Sequence, residues 1–203
     1  AGYGANHGVV SDLLDRAKVP GWTKAATVED KTGSRSHAKK VAEAAQDTDA
    51  DVLHVTCQED AHLVPRDSAI PVVVSVHDLF DFRPRAIDAG DISVPLGNRY
   101  PSSARAKHLS SCREGMGRAD LLLCASEMTM DEATGMFPGT KCVLVRDSVD
   151  CSFWDPHRNP RARSVLGDYE DEEKCLLVSV GEKDPRWRSQ FVSEVISIVP
   201  EEV

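Results

Sequence analysis

Two short β-branched runs, Val52-Leu-His-Val-Thr56 and Val72-Val-Val-Ser-Val76, do most to limit what this chain can become. A near-continuous apolar run of this kind reads as a strand buried in a parallel sheet. Each run stops in a polar cluster, Cys57-Gln-Glu-Asp60 after the first and His77-Asp78 after the second. Open α/β sheets bind ligands outside the carboxyl ends of their strands, so His77 is the first residue to weigh for chemistry.

The sequence around these runs alternates between helical and extended patterns. Val9, Val10, Leu13, Leu14 and Ala17 have helical spacing over 6–18, behind the turn Gly2-Tyr-Gly4, and residues 25–29 suit a short strand. Ser36 is expected to cap a helix over 38–46, and a short helical patch is expected near Ala61. A helix over 104–118, with Leu109, Cys112 and Met116 on one face, leads into the apolar run Ala119-Asp-Leu-Leu-Leu-Cys-Ala-Ser126. A helix over 127–136 follows, ended by Phe137-Pro-Gly139, and Cys142-Val-Leu-Val145 is a further strand. This rhythm of strand, helix and strand predicts an α/β fold with right-handed crossovers. Residues 80–103 carry Pro84, Gly90, Pro95, Gly97 and Pro101 without a sustained period, and the expectation there is a long functional loop.

Past Asp150 the character changes. An aromatic turn at Phe153-Trp154, an Arg-rich helix over 159–166 and the acidic stretch Asp168-Tyr-Glu-Asp-Glu-Glu173 precede a new strand, Cys175-Leu-Leu-Val-Ser-Val180, and a helix over 188–198. The expected division is a domain at 1–150, a linker at 151–173, and at 174–203 the first strand-helix unit of an incomplete second domain.

With 203 residues, 41% of them hydrophobic, the chain can bury a sizeable core and is not a disordered protein. A net charge of -9 disfavours nucleic acid and anionic membrane as partners. The surface, with Arg outnumbering Lys, would also suit a high-salt cytoplasm. No apolar run approaches the roughly 18 residues of a membrane span. Ala1-Gly-Tyr-Gly-Ala-Asn-His7 has no basic or apolar signal region, so the expected location is cytoplasmic. The six cysteines form no C-x-x-C pair and no local zinc spacing, so a reduced protein with no metal is expected. Cys124, Cys142 and Cys175 read as small buried hydrophobes, and Cys57 as a free thiol in preference to a nucleophile.

Several of these segments, taken in order, resemble the N-terminal half of glycosyltransferase family 4, retaining enzymes of the GT-B fold. They are Asp51-Val-Leu-His-Val55, Pro71-Val-Val-Val-Ser-Val-His-Asp78, Arg118-Ala-Asp-Leu-Leu-Leu-Cys-Ala-Ser126, Phe137-Pro-Gly139, Val143-Leu-Val-Arg-Asp-Ser-Val-Asp150, Phe153-Trp-Asp-Pro156 and Leu177-Val-Ser-Val-Gly-Glu-Lys-Asp-Pro-Arg186. The resemblance covers nearly the whole chain. It implies a Rossmann-like acceptor-side domain with helices on both faces of a parallel sheet, followed by the start of a donor domain. The implied reaction is transfer of a sugar from a nucleotide-sugar to a glycan, lipid or small-molecule acceptor, with no metal or other cofactor.

The resemblance places His77 at the cleft as the catalytic-site histidine, where an imidazole can bond a sugar hydroxyl or phosphate. It assigns Gly2 and Gly4, with Lys183 and Arg186, to the donor phosphates, since bare backbone at a helix N-terminus suits an anion. Gln58, Glu59, Asp78 and Ser126 stand at strand ends as acceptor contacts, with helix or turn capping as the structural alternative. Arg85, Arg99 and Arg105 are available to an anionic acceptor or to solvent, and His54 reads as a core histidine. The chain departs from the family pattern at Asp147-Ser148, where Asn-Gly or His-Gly is usual, and at Trp187, often a Lys. The glutamate-rich donor motif is not in the sequence. As an N-terminal part, the chain is expected to be inactive in transfer by itself. A non-catalytic α/β module binding a glycan or protein is the alternative. A third reading, a relative such as a nucleotide-sugar epimerase, needs acid and base carboxylates that find no place here.

Overall fold

The computed structural model describes residues 36–89 and 92–146, together with positions 21, 23, 26 and 28. The helix expected over 6–18, most of the strand expected at 25–29, Gly2, Gly4, and the linker and second unit with Lys183 and Arg186 lie outside the described residues. In chain order these form helix α1 (His37–Asp47), strand β1 (Leu53–Val55), a 3-10 helix (Gln58–Leu63), β2 (Val72–Val76), β3 (Arg85–Ala89), β4 (Ile92–Leu96), α2 (Ser103–Arg118), β5 (Leu121–Cys124), α3 (Glu127–Met136) and β6 (Lys141–Leu144).

The fold is α/β and Rossmann-like, with a parallel sheet in the order β1-β2-β5-β6. Its register pairs Val55 with Val74, Val74 with Leu122, and Leu122 with Cys142, so these residues share one face. That face is the core: Val72, Val74, Val76, Leu122 and Cys124 are buried, while Val73, Ser75, Leu121 and Leu123 on the other face are half-buried. Every step across the sheet runs in one direction, so right-handed connections bring the 3-10 helix, α2 and α3 to a common face. Ala61, Cys112, Met116, Ala133 and Phe137 meet the buried valines there. Burying a Val or Leu side chain contributes about 1.5–3 kcal/mol, which makes this shared layer the main source of stability.

Local chemistry explains where the helices begin. Ser102 and Ser126 keep non-helical backbone, and their side chains accept from Arg105 N (3.3 Å) and Thr129 N (3.1 Å). Ser36 differs from expectation: its backbone is already helical, at φ -78° and ψ -19°, and its hydroxyl accepts no capping bond.

The largest departure is at 80–103, expected as a loop. Strands β3 and β4 form an antiparallel ribbon there, pairing Arg85 with Leu96 and Ile87 with Val94. Gly90-Asp91 between two short runs is a two-residue hairpin signal, and Pro95 is tolerated because a two-stranded ribbon has only edges. Gly97, at φ +73°, closes the ribbon against Phe80, whose carbonyl a side chain at Gly97 would overlap. No helix among the described residues is long and apolar enough to cross a membrane.

Candidate functional site

The carboxyl ends of β1, β2 and β5 bring together the residues that the sequence singled out, with the exception of those outside the described range. His77 follows β2, and its Nε2 lies 3.2 Å from the Thr56 carbonyl, which can only accept. The Nε2 proton is therefore committed to the end of β1, and a neutral ring carries its lone pair on Nδ1. No described residue bonds that nitrogen. The His77 amide donates to Gln58 Oε1 (3.0 Å), and its carbonyl accepts from Thr129 Oγ1 (3.3 Å). His77 is thus fixed by Thr56 and Gln58, which follow β1, and by Thr129 in the first turn of α3.

The other candidates divide by what holds them. Gln58 is buried and ties the β1 end to the β2 end through the His77 amide. Asp78 Oδ1 accepts from Phe80 N (3.1 Å), an Asx turn that starts the crossing toward β3. Burial raises the Asp78 carboxyl above the ordinary carboxylate range, and the Phe80 bond works against that rise. Ser126 caps α3 and shares a 2.9 Å hydroxyl contact with Thr129. Capping, the structural alternative for Asp78 and Ser126, is what their oxygens do in this fold.

Glu59 stands apart, gripped by Arg105 through two hydrogen bonds, Nη1 to Oε2 (2.9 Å) and Nη2 to Oε1 (2.8 Å). The same Arg105 nitrogen reaches Asp81 Oδ2 at 2.7 Å. The Glu59 bonds push the guanidinium pKa upward beyond its already high value. Arg105 is therefore an internal tie between the 3-10 helix, α2 and the β2–β3 connection, and it is not presented to an anionic acceptor. Arg85 makes a 2.5 Å charge contact with the buried Glu132 of α3 and lies 5.5 Å from the centre of the Phe80 ring. Arg99 is exposed. Glu132 Oε2 is buried without a hydrogen-bond partner among the described residues. Sequence reasoning passed over Glu132 because an acidic residue inside a helix looks like any solvated position until the Arg85 contact is known.

Cys57 is 1% exposed, and burial pushes its thiol up to about 12. Burial of this kind disfavours the thiolate, the form in which a cysteine attacks. Cys124 is buried and Cys142 half-buried, and both are free. His54 Nε2 bonds Ser75 Oγ at 2.9 Å on the second face of the sheet, a satisfied histidine.

A second cluster surrounds the backbone carbonyl of Glu59, which receives His108 Nε2 (3.0 Å), Cys112 Sγ (3.0 Å) and His62 Nδ1 (3.3 Å). Among the described residues, His62, His108 and Cys112 are the group whose donor atoms are close enough to share a metal ion. His108 and Cys112 are one helical turn apart in α2, a spacing visible in the sequence, whereas His62 joins them only through packing. No protein-family model matches this chain, and no curated protein matches it.

Proposed function

We propose that this chain is the acceptor-side part of a retaining nucleotide-sugar glycosyltransferase, with His77 as the residue that meets the sugar being transferred. The observation that carries the reading is the hydrogen-bonding state of His77 at the carboxyl edge of a parallel sheet. With Nε2 bonded to Thr56 O, Nδ1, which no described residue bonds, is left as an acceptor on a residue at the strand-end edge, the edge at which such sheets bind ligands. An oriented imidazole of this kind accepts from a sugar hydroxyl in its neutral form and donates to a phosphate oxygen when protonated. The ordered segments that resemble the family support the same assignment. Gln58 acts as a positioning residue, because its side chain fixes the His77 backbone. No metal enters the proposed transfer.

The test is sugar transfer from a panel of UDP-, GDP- and ADP-sugars by the native gene product that carries these residues. His77→Ala should lower transfer by about 100-fold or more while leaving the circular dichroism spectrum unchanged. Full activity in that variant would remove His77 from the chemistry.

One set of observations favours a second reading, a non-catalytic module that binds a glycan or a protein. Glu59 and Ser126, proposed as acceptor contacts, already have their side-chain oxygens engaged by Arg105 and Thr129 N, and Asp78 has its Oδ1 engaged by Phe80 N. Saturable glycan binding without turnover of any nucleotide-sugar would decide for the module.

A further inference from the structure

We propose that His62 Nδ1, His108 Nε2 and Cys112 Sγ form a site for a tetrahedral divalent transition ion of the zinc class, with the Glu59 carbonyl oxygen at the fourth corner. The spacing of the four atoms is the first argument. Cys112 Sγ lies 3.5 Å from His108 Nε2 and 3.8 Å from His62 Nδ1. A tetrahedral ion with bonds of about 2.0–2.1 Å to nitrogen and about 2.3 Å to sulfur sets its nitrogen and sulfur ligands about 3.5 Å apart. The carbonyl oxygen is 3.0, 3.0 and 3.3 Å from the three side-chain atoms. All three side-chain atoms already lie within 4.8 Å of one another, so the tetrahedron needs the ring nitrogens to draw closer together and the sulfur and the carbonyl oxygen to ease apart.

Hydrogen-bond accounting is the second argument. A carbonyl oxygen has two lone pairs, yet three donor groups converge on this one. Not all three can bond it well at once, whereas a central cation takes a lone pair from each. The two imidazoles bind as neutral tautomers and the thiol binds as thiolate, its proton passing to solvent.

The surroundings suit such an ion. His37, only 4% exposed, has a buried Nδ1 with no hydrogen-bond partner among the described residues and lies close enough to His62 to act on its charge. Glu59 and Asp60 set negative charge beside Cys112, and Arg105 offsets part of it. The scaffold is stiff as well: His108 and Cys112 share one face of α2, and Gly115 lets that helix approach the Ala61 backbone, one residue from His62.

Cobalt titration of the full chain, reduced and stripped of metal, tests the site. One equivalent of Co2+ should produce a thiolate-to-cobalt charge-transfer band in the near ultraviolet and the visible absorption of a tetrahedral ion, both erased by Zn2+. Cys112→Ser should abolish the charge-transfer band and weaken binding by at least about tenfold, with His108→Ala weakening it comparably. Cys57→Ser should leave the spectrum intact. X-ray absorption at the zinc edge of the wild-type chain should find one sulfur in the coordination shell. A shell without sulfur, no charge-transfer band in the folded wild type, or an unchanged spectrum in Cys112→Ser would each overturn the site.

Discussion

Asp78 bears an electrostatic cost at neutral pH that its amide counterpart would not. Burial, reinforced by the nearby Asp81 and Glu59 charges, raises its folded-state pKa above the ordinary 3.8, so the folded chain holds this proton more tightly than the unfolded chain. Its contribution to stability is therefore fully present below about the unfolded value and is lost as pH rises through the folded value. Asp78→Asn keeps an Oδ1 acceptor for Phe80 N and removes the charge. Urea midpoints should show the variant more stable than wild type near pH 7, with the gap closing near pH 3. An equal gap at both would assign the effect to side-chain shape. The polar turn after β2 was legible in the sequence. So was the cap that Asp78 provides, whereas the contact of His77 with Thr56 was not, because a strand-end histidine reads the same whichever way its ring turns.

At the scale of elements, helix packing rests on one glycine. A side chain at Gly115 of α2 would overlap the Ala61 carbonyl, whereas one at Gly135 of α3 would meet open space. Gly115→Ala should cost about 2–3 kcal/mol through forced displacement of the 3-10 helix. Gly135→Ala should stabilise by about 0.5–1 kcal/mol through helix propensity. Paired urea titrations check both, and a neutral Gly115→Ala would mean that the two helices slide apart freely. Nothing in the sequence separates these two glycines, since each interrupts a helical pattern in the same way. By contrast, the bounds of α3 and β2 match the sequence expectation, because Ser126 and the Val72–Val76 run are strong local signals. The β3–β4 ribbon was overlooked because prolines outweighed its hairpin signal.

Across the whole molecule the excess of acid sets the response to salt. A net charge of -9 repels itself in the compact state, and added salt screens exposed charges beyond about 10 Å at 0.1 M. The thermal midpoint should rise as KCl increases from about 0.05 to about 0.5 M, where the Debye length shortens severalfold. Scanning calorimetry at the two salt levels would show it, and a flat response would mean that neighbouring charges already cancel. The Arg105 ties to Glu59 and Asp81 are partly buried, with Arg105 30% exposed, and are screened less. At this scale, among the described residues, the sequence by itself determined the strands and helices of the four-stranded sheet and its parallel sense, though not the β3–β4 ribbon. Those properties follow from periodicity, β-branching and capping among near neighbours. Only the tertiary structure decided which side chains meet. Glu59 finds Arg105 and His62 finds Cys112 across two packed helices, and such encounters depend on where the elements cross, which short-range patterns do not encode.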